Sequence, residues 1–181
     1  MKLNSKIEKK IKTKVLEYLK KGKPGWDIPH TLASVHWMRK LIKKEGGNEK
    51  ILVTSMYFHD IGYPIMKEGY RWEDVLKAKL SHPKRGAKIA KKVLEEIGGY
   101  SKKEIEEIIH LIKTHDNLKR LDTPNEILVK ESDGLAQIDT DRVVGNLDKK
   151  SHEKFIKHFK EKRVPIFKTK TGKKFLKKLF V

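Results

Sequence analysis

Apolar residues recur every three or four positions along this 181-residue chain, and no stretch alternates convincingly between apolar and polar. Side chains three and four apart share one face of an α-helix, whereas strands alternate with a period of two. The sequence therefore predicts an all-α protein, a compact bundle of helices. Ile7, Ile11, Val15, Tyr18 and Leu19 mark a first amphipathic helix near 4–20, which Lys-Gly-Lys-Pro-Gly at 21–25 breaks. Pro29 suits the start of a second helix, expected over 29–45 and stopped by Gly46-Gly47. A third, over 48–59, contains Ile51, Leu52, Val53, Met56, Tyr57 and Phe58, and is apolar enough to belong at the centre of the bundle.

Gly62-Tyr63-Pro64 ends that helix, and a less regular segment leads to a short helix near 72–80. Ser81, with Pro83 behind it, opens a long helix that closes at Gly98-Gly99. Ser101 and Thr123 each stand three residues before a glutamate, Glu104 and Glu126, which is the pattern of a capping box. These two predict helices to about residues 114 and 137. Further helices are expected near 140–147, 151–162 and 171–179. With no internal repeat and no low-complexity linker, residues 1–181 read as a single domain. Its core spans about 24–140, with a basic N-terminal helix (1–23) and basic C-terminal helices (149–181) packed on it.

The chain has no cysteine, which excludes disulfides and thiolate metal ligands, so any metal must be held by His, Asp or Glu. No apolar run approaches 18 residues, and no membrane-spanning helix is expected. The opening Met-Lys-Leu-Asn-Ser lacks the pattern of a secretory leader, and a cytoplasmic location is expected. The formal net charge of +19 is carried by the ends: residues 1–23 hold 9 Lys against 2 acids, and residues 149–181 hold 13 Lys and Arg against 2. The stretch between them is nearly balanced. A basic field of this kind attracts nucleic acid or small anions, and it equally describes a solvated lysine-rich surface.

His59-Asp60 places an imidazole and a carboxylate at the end of the most apolar helix. Ionisable groups against such a stretch are paired, hydrogen-bonded or metal-bound. By itself the dipeptide is also compatible with a histidine capping the helix and a solvated aspartate. The surroundings add more. Trp26-Asp27-Ile28-Pro29-His30, then Glu45-Gly46-Gly47, then Tyr57-Phe58-His59-Asp60-Ile61-Gly62, resemble the opening of HD-superfamily hydrolases. Glu131-Ser132-Asp133-Gly134-Leu135 is similar to the element that supplies the family's C-terminal aspartate.

The resemblance implies that His30, His59, Asp60 and Asp133 bind a divalent metal. Ser-His-Pro-Lys-Arg-Gly-Ala around His82 and Ile-Lys-Thr-His-Asp around His115 resemble the additional histidines of the superfamily's binuclear branch. On that likeness His82 and His115 hold a second metal, and Asp60 bridges the two. Such a donor set suits Mn, Fe, Co, Ni or Zn better than Mg, which prefers oxygen ligands. Lys84 and Arg85, beside His82, are candidates for binding a phosphate group. Two departures from the family pattern bear on the substrate: Ala33-Ser34 replaces the Arg-Val that often follows the first histidine, and Tyr63-Pro64 stands where a lysine often follows His-Asp-Ile-Gly.

The favoured expectation is a metal-dependent phosphohydrolase. It cleaves a phosphomonoester or phosphodiester, a nucleotide among the candidates, with Asp60 and His59 at its centre. The same ligand set also occurs in di-iron oxygenases of the superfamily. A third reading is a non-catalytic module binding nucleic acid through the basic ends, where Tyr18, Phe155, Phe159, Phe167, Phe175 and Phe180 suit core packing at least as well as base stacking.

Overall fold

A computed structural model describes residues 1–145 and 147–180. The chain is all-α, and no strand occurs among the described residues. In chain order the helices are α1 (Ser5–Leu19), α2 (Asp27–Glu45), α3 (Glu49–Phe58), α4 (Trp72–Lys79), α5 (His82–Ile97), α6 (Lys102–Thr114), α7 (Pro124–Gln137), α8 (Lys149–His158) and α9 (Lys170–Leu179). Between α8 and α9 the chain makes a π-helical turn, Phe159–Arg163, and a short 3-10 turn, Val164–Ile166.

The apolar third helix occupies the expected place. Every residue of α3 from Ile51 to Phe58 is buried, and α1, α2, α5, α6 and α7 all pack against it. Burying α3 on all sides is what its unbroken apolar composition requires. Its N-terminal partner α1 lays Ile11, Val15 and Leu19 on the core and turns its lysines to solvent. At the other end of the sequence, α9 packs on α7 and α2, and α8 packs on α4.

Both capping boxes form. Ser101 Oγ accepts from Glu104 N at 3.2 Å while Ser101 N donates to Glu104 Oε2 at 2.8 Å. Thr123 and Glu126 make the same reciprocal pair. Ser101→Ala is expected to lower unfolding free energy by about 1 kcal/mol, the usual contribution of such a cap. Urea denaturation measures this, and metal content should be unchanged, because the cap lies at the opposite end of α6 from His115.

Two expectations about the elements need correction. Helix α2 begins at Asp27 rather than Pro29. The Asp27 carboxylate folds back to accept from the Lys23 backbone N–H at 2.7 Å, which organises the entry two residues early. No helix forms over the described residues of 140–147; Asn146 lies outside them. A single turn closes there, from Val143 N to Asp139 O at 2.8 Å. The Asp139 side chain is committed elsewhere, accepting from Trp37 Nε1 and Arg142 Nη1. Val143 at the end of that turn, and Val144 and Gly145 beyond it, are all of low helix propensity.

One glycine is required by a close approach. A Cβ on Gly62 would fall on the carbonyl of His82 and the backbone N of Gly86, with the His82 carbonyl carbon only 2.9 Å away. The absence of a side chain at residue 62 is what allows the first turn of α5 to sit directly against the end of α3.

Candidate metal centre

Helices α3 and α6 end alike. His59 and His115 are their C-caps, and in each the ring Nδ1 donates to the carbonyl three residues earlier, Met56 at 2.8 Å and Ile112 at 2.7 Å. That bond fixes the tautomer, leaving the Nε2 lone pair directed away from the helix. Helices α2 and α5 begin alike. His30 lies in the first turns of α2 with its ring stacked on Trp26 at 5.5 Å between centroids, and His82 opens α5 with its ring stacked on Tyr63 at 4.0 Å. Two helix ends and two helix starts thus bring four imidazoles together, all of them buried. Asp133 arrives from the middle of α7, and Asp60 from the turn after α3.

The six residues expected from the sequence converge as two adjacent groups. In the first, His30 Nε2 and His59 Nε2 are 3.1 Å apart, and Asp133 Oδ1 lies 3.1 and 3.7 Å from them. In the second, His82 Nε2 and His115 Nε2 are also 3.1 Å apart. Asp60 stands between the groups. Its Oδ2 is 3.6 Å from both His30 and His59, and its Oδ1 is 3.3 Å from His82 and 3.5 Å from His115. His30, His59 and Asp133 could hold one metal ion, and Asp60, His82 and His115 another.

The donor chemistry fits that use. Two Nε2 lone pairs facing each other at 3.1 Å repel unless a proton or a cation lies between them. Donors bound to one cation at about 2.1 Å are separated by roughly 3.0–3.5 Å, close to the spacings seen here. The electrostatics agree. Burial pushes His59 down to about 4 against the pull of Asp60 and Asp133, which keeps the ring neutral and able to ligate. Burial works against ionising Asp60 and Asp133, but neighbouring groups outweigh it: His59 and the Lys23 ammonium act on Asp60, and the Arg163 guanidinium and a hydrogen bond with His30 on Asp133. Both stay well below the usual carboxylate range.

Three residues that the sequence did not single out complete the centre. Lys23, from the Gly-rich break after α1, is buried with Nζ 3.1 Å from Asp27 Oδ1, 3.6 Å from Asp60 Oδ2 and 3.4 Å from the centre of the Tyr63 ring. Burial disfavours its charge, but Asp27 and Asp60 outweigh this and hold the ammonium above its ordinary value. Asp116 follows His115 and sits beside both imidazoles of the second group. Arg163 reaches in from the basic C-terminal segment, fully buried, to bond Asp116 and Asp133.

Asp116 and Arg163 had some signal, Lys23 none. Asp116 forms a second His-Asp pair at the end of a helix, and Arg163 continues the spacing of Phe155 and Phe159. The π turn makes that spacing effective. Four residues overshoot a full turn in an α-helix and undershoot it in a π-helix, so all three side chains face inward. Lys84 and Arg85, in contrast, lie exposed on α5 and do not line the pocket over the centre. His110 is occupied elsewhere, bonded to Glu126 at 2.9 Å.

That pocket opens onto His30, Asp60, Asp116 and Asp133, with walls of Trp26, Tyr63, Tyr70, Trp72 and Phe155 and the cations Lys23 and Lys79. The chain is thus all-helical, with two buried His/Asp groups that could hold metal ions beside such a pocket. Residues 28–138 match the family model of the HD domain, and the chain belongs to that family, most of whose members are metal-dependent hydrolases. No match was found among curated proteins or among solved structures. No helix among the described residues is long and apolar enough to cross a membrane.

Proposed function

We propose that this protein is a phosphohydrolase using two divalent metal ions. One is held by His30, His59, Asp60 and Asp133; the other is held by His82 and His115, with Asp60 shared. The observation that carries this reading is the division of Asp60, one oxygen toward each pair of imidazoles. Such ions supply an activated water and neutralise charge on the phosphoryl oxygens. The chain's own residues do the rest. His59 and His115 hold their tautomers through the helix carbonyls, and the Trp26 and Tyr63 rings orient His30 and His82. Lys79 and Lys23 line the pocket with positive charge suited to a phosphate group.

Within that class, the aromatic walls favour a nucleotide. Trp26, Tyr70, Trp72 and Phe155 line the pocket with aromatic surface of the kind that accommodates a planar ring, while the cations and the metal centre take the phosphate. In the basic C-terminal segment Phe159 and Phe167 are buried, leaving few rings there for stacking on a strand.

The test is elemental analysis of protein purified without added metal, followed by turnover of p-nitrophenyl phosphate, bis-p-nitrophenyl phosphate and a panel of nucleotides with Mn, Co and Zn. About two ions per chain and metal-dependent release of phosphate or nitrophenol are expected. Redox-active iron with oxygen consumption and no ester hydrolysis would replace this reading with an oxygenase.

A further inference from the structure

Each group of imidazoles faces an aspartate whose second oxygen is held by the same arginine. Asp133 turns Oδ1 to His30 and His59, and its Oδ2 accepts from Arg163 Nη1 at 2.6 Å. Asp116 turns Oδ2 to His82 at 3.4 Å and to His115 at 3.9 Å, and its Oδ1 accepts from Arg163 Nη2 at 2.6 Å and Lys79 Nζ at 3.1 Å. Were Asp116 present only to neutralise Arg163 and Lys79, Oδ1 alone would satisfy both cations, and nothing would direct the other oxygen at two imidazoles.

We infer that Asp116 is a ligand of the second metal and that Arg163 is a positioning residue yoking the outer carboxylates of both metals. This rests on the two-metal reading above and adds a donor to it. The two donor sets then match: two imidazoles, the shared Asp60 and one carboxylate of their own. Local sequence repeats the logic, since Asp116 follows His115 at the end of α6 as Asp60 follows His59 at the end of α3. Arg163 suits the role because its guanidinium is planar and rigid, with its terminal nitrogens a fixed distance apart. Holding one oxygen of each aspartate, it sets the separation of the two oxygens that face inward. Lysine, a single charge on a flexible stem, cannot do this.

The experiment loads the full chain with Mn2+, counts ions per chain after dialysis, and titrates the affinity of each site in wild type, Asp116→Asn and Arg163→Lys. Circular dichroism and thermal unfolding confirm that each variant is folded. Asp116→Asn is expected to retain one tight ion and to lose on the order of 100-fold or more at the other. Arg163→Lys should weaken both sites, by about 10–100-fold, the effect usual for residues that orient metal ligands. Two ions bound by Asp116→Asn with unchanged affinity would overturn the inference and leave the two-metal reading standing. A single ion in wild type would overturn both. Should Asp116→Asn fail to fold, Asp116→Glu, which keeps the charge and moves the oxygens, decides: an unchanged second site counts against the ligand role and a weakened one supports it. Arg163→Lys with both sites intact would remove the yoke.

Discussion

Asp60→Ala is expected to abolish metal binding at both sites and to lower phosphate-ester turnover by at least about 1,000-fold, a loss of roughly 4 kcal/mol in transition-state stabilisation. Asp60 faces both imidazole pairs, one oxygen toward each. Loss of His59 would remove one donor from one group, whereas loss of Asp60 removes the shared donor from each. The fold should survive. Asp60, though buried, lies in the turn after α3 and lines the pocket, and Lys23 keeps Asp27 as its partner at 3.1 Å. Elemental analysis, circular dichroism and ester hydrolysis on one preparation test this. Two ions per chain with full turnover in Asp60→Ala would end the metal-centred reading of this site.

Gly62→Ala should destabilise the protein by about 3 kcal/mol, at the upper end of the cost of forcing an extra carbon into a packed interior. The obstructing atoms are backbone, the His82 carbonyl and the Gly86 nitrogen, so no side chain can rotate out of the way. Relief requires moving the first turn of α5, and His82 moves with it. Metal affinity at the His82–His115 pair should therefore fall more than at the His30–His59 pair. Urea denaturation with Mn2+ titration separates these effects; an unchanged midpoint would show that the contact between α3 and α5 is looser than the structure indicates.

How much of this was legible beforehand follows from what a local pattern can encode. Helix α3 was readable because total burial leaves a continuous apolar run. Helices α6 and α7 were readable because their capping boxes are chemistry among neighbours in sequence. His30, His59, Asp60, His82, His115 and Asp133 stood out at helix ends or in recognisable motifs, and the structure brings them together. Lys23 was not visible in this way, and Arg163 only through its spacing from Phe155 and Phe159. Each lies among many lysines and arginines that face water, and only tertiary approach separates the buried cation from the solvated ones. The helix expected near 140–147 has the same origin: the bond from Trp37 to Asp139 joins residues far apart in sequence, and no local pattern announces it.

The cations around the centre also govern how it tolerates being empty or full. Asp27, Asp60, Asp116 and Asp133 supply four negative charges, and Lys23, Lys79 and Arg163 supply three positive ones within the same network. Counting these seven side chains alone, the charges nearly balance, which is the condition under which so many ionised groups can be buried in an apolar bundle. Two divalent ions would shift that balance to an excess of about three positive charges in a region of low dielectric. A dianionic phosphate ester would relieve most of that excess, so the same lysines and arginine that allow the unloaded protein to fold would make the loaded one demand an anion.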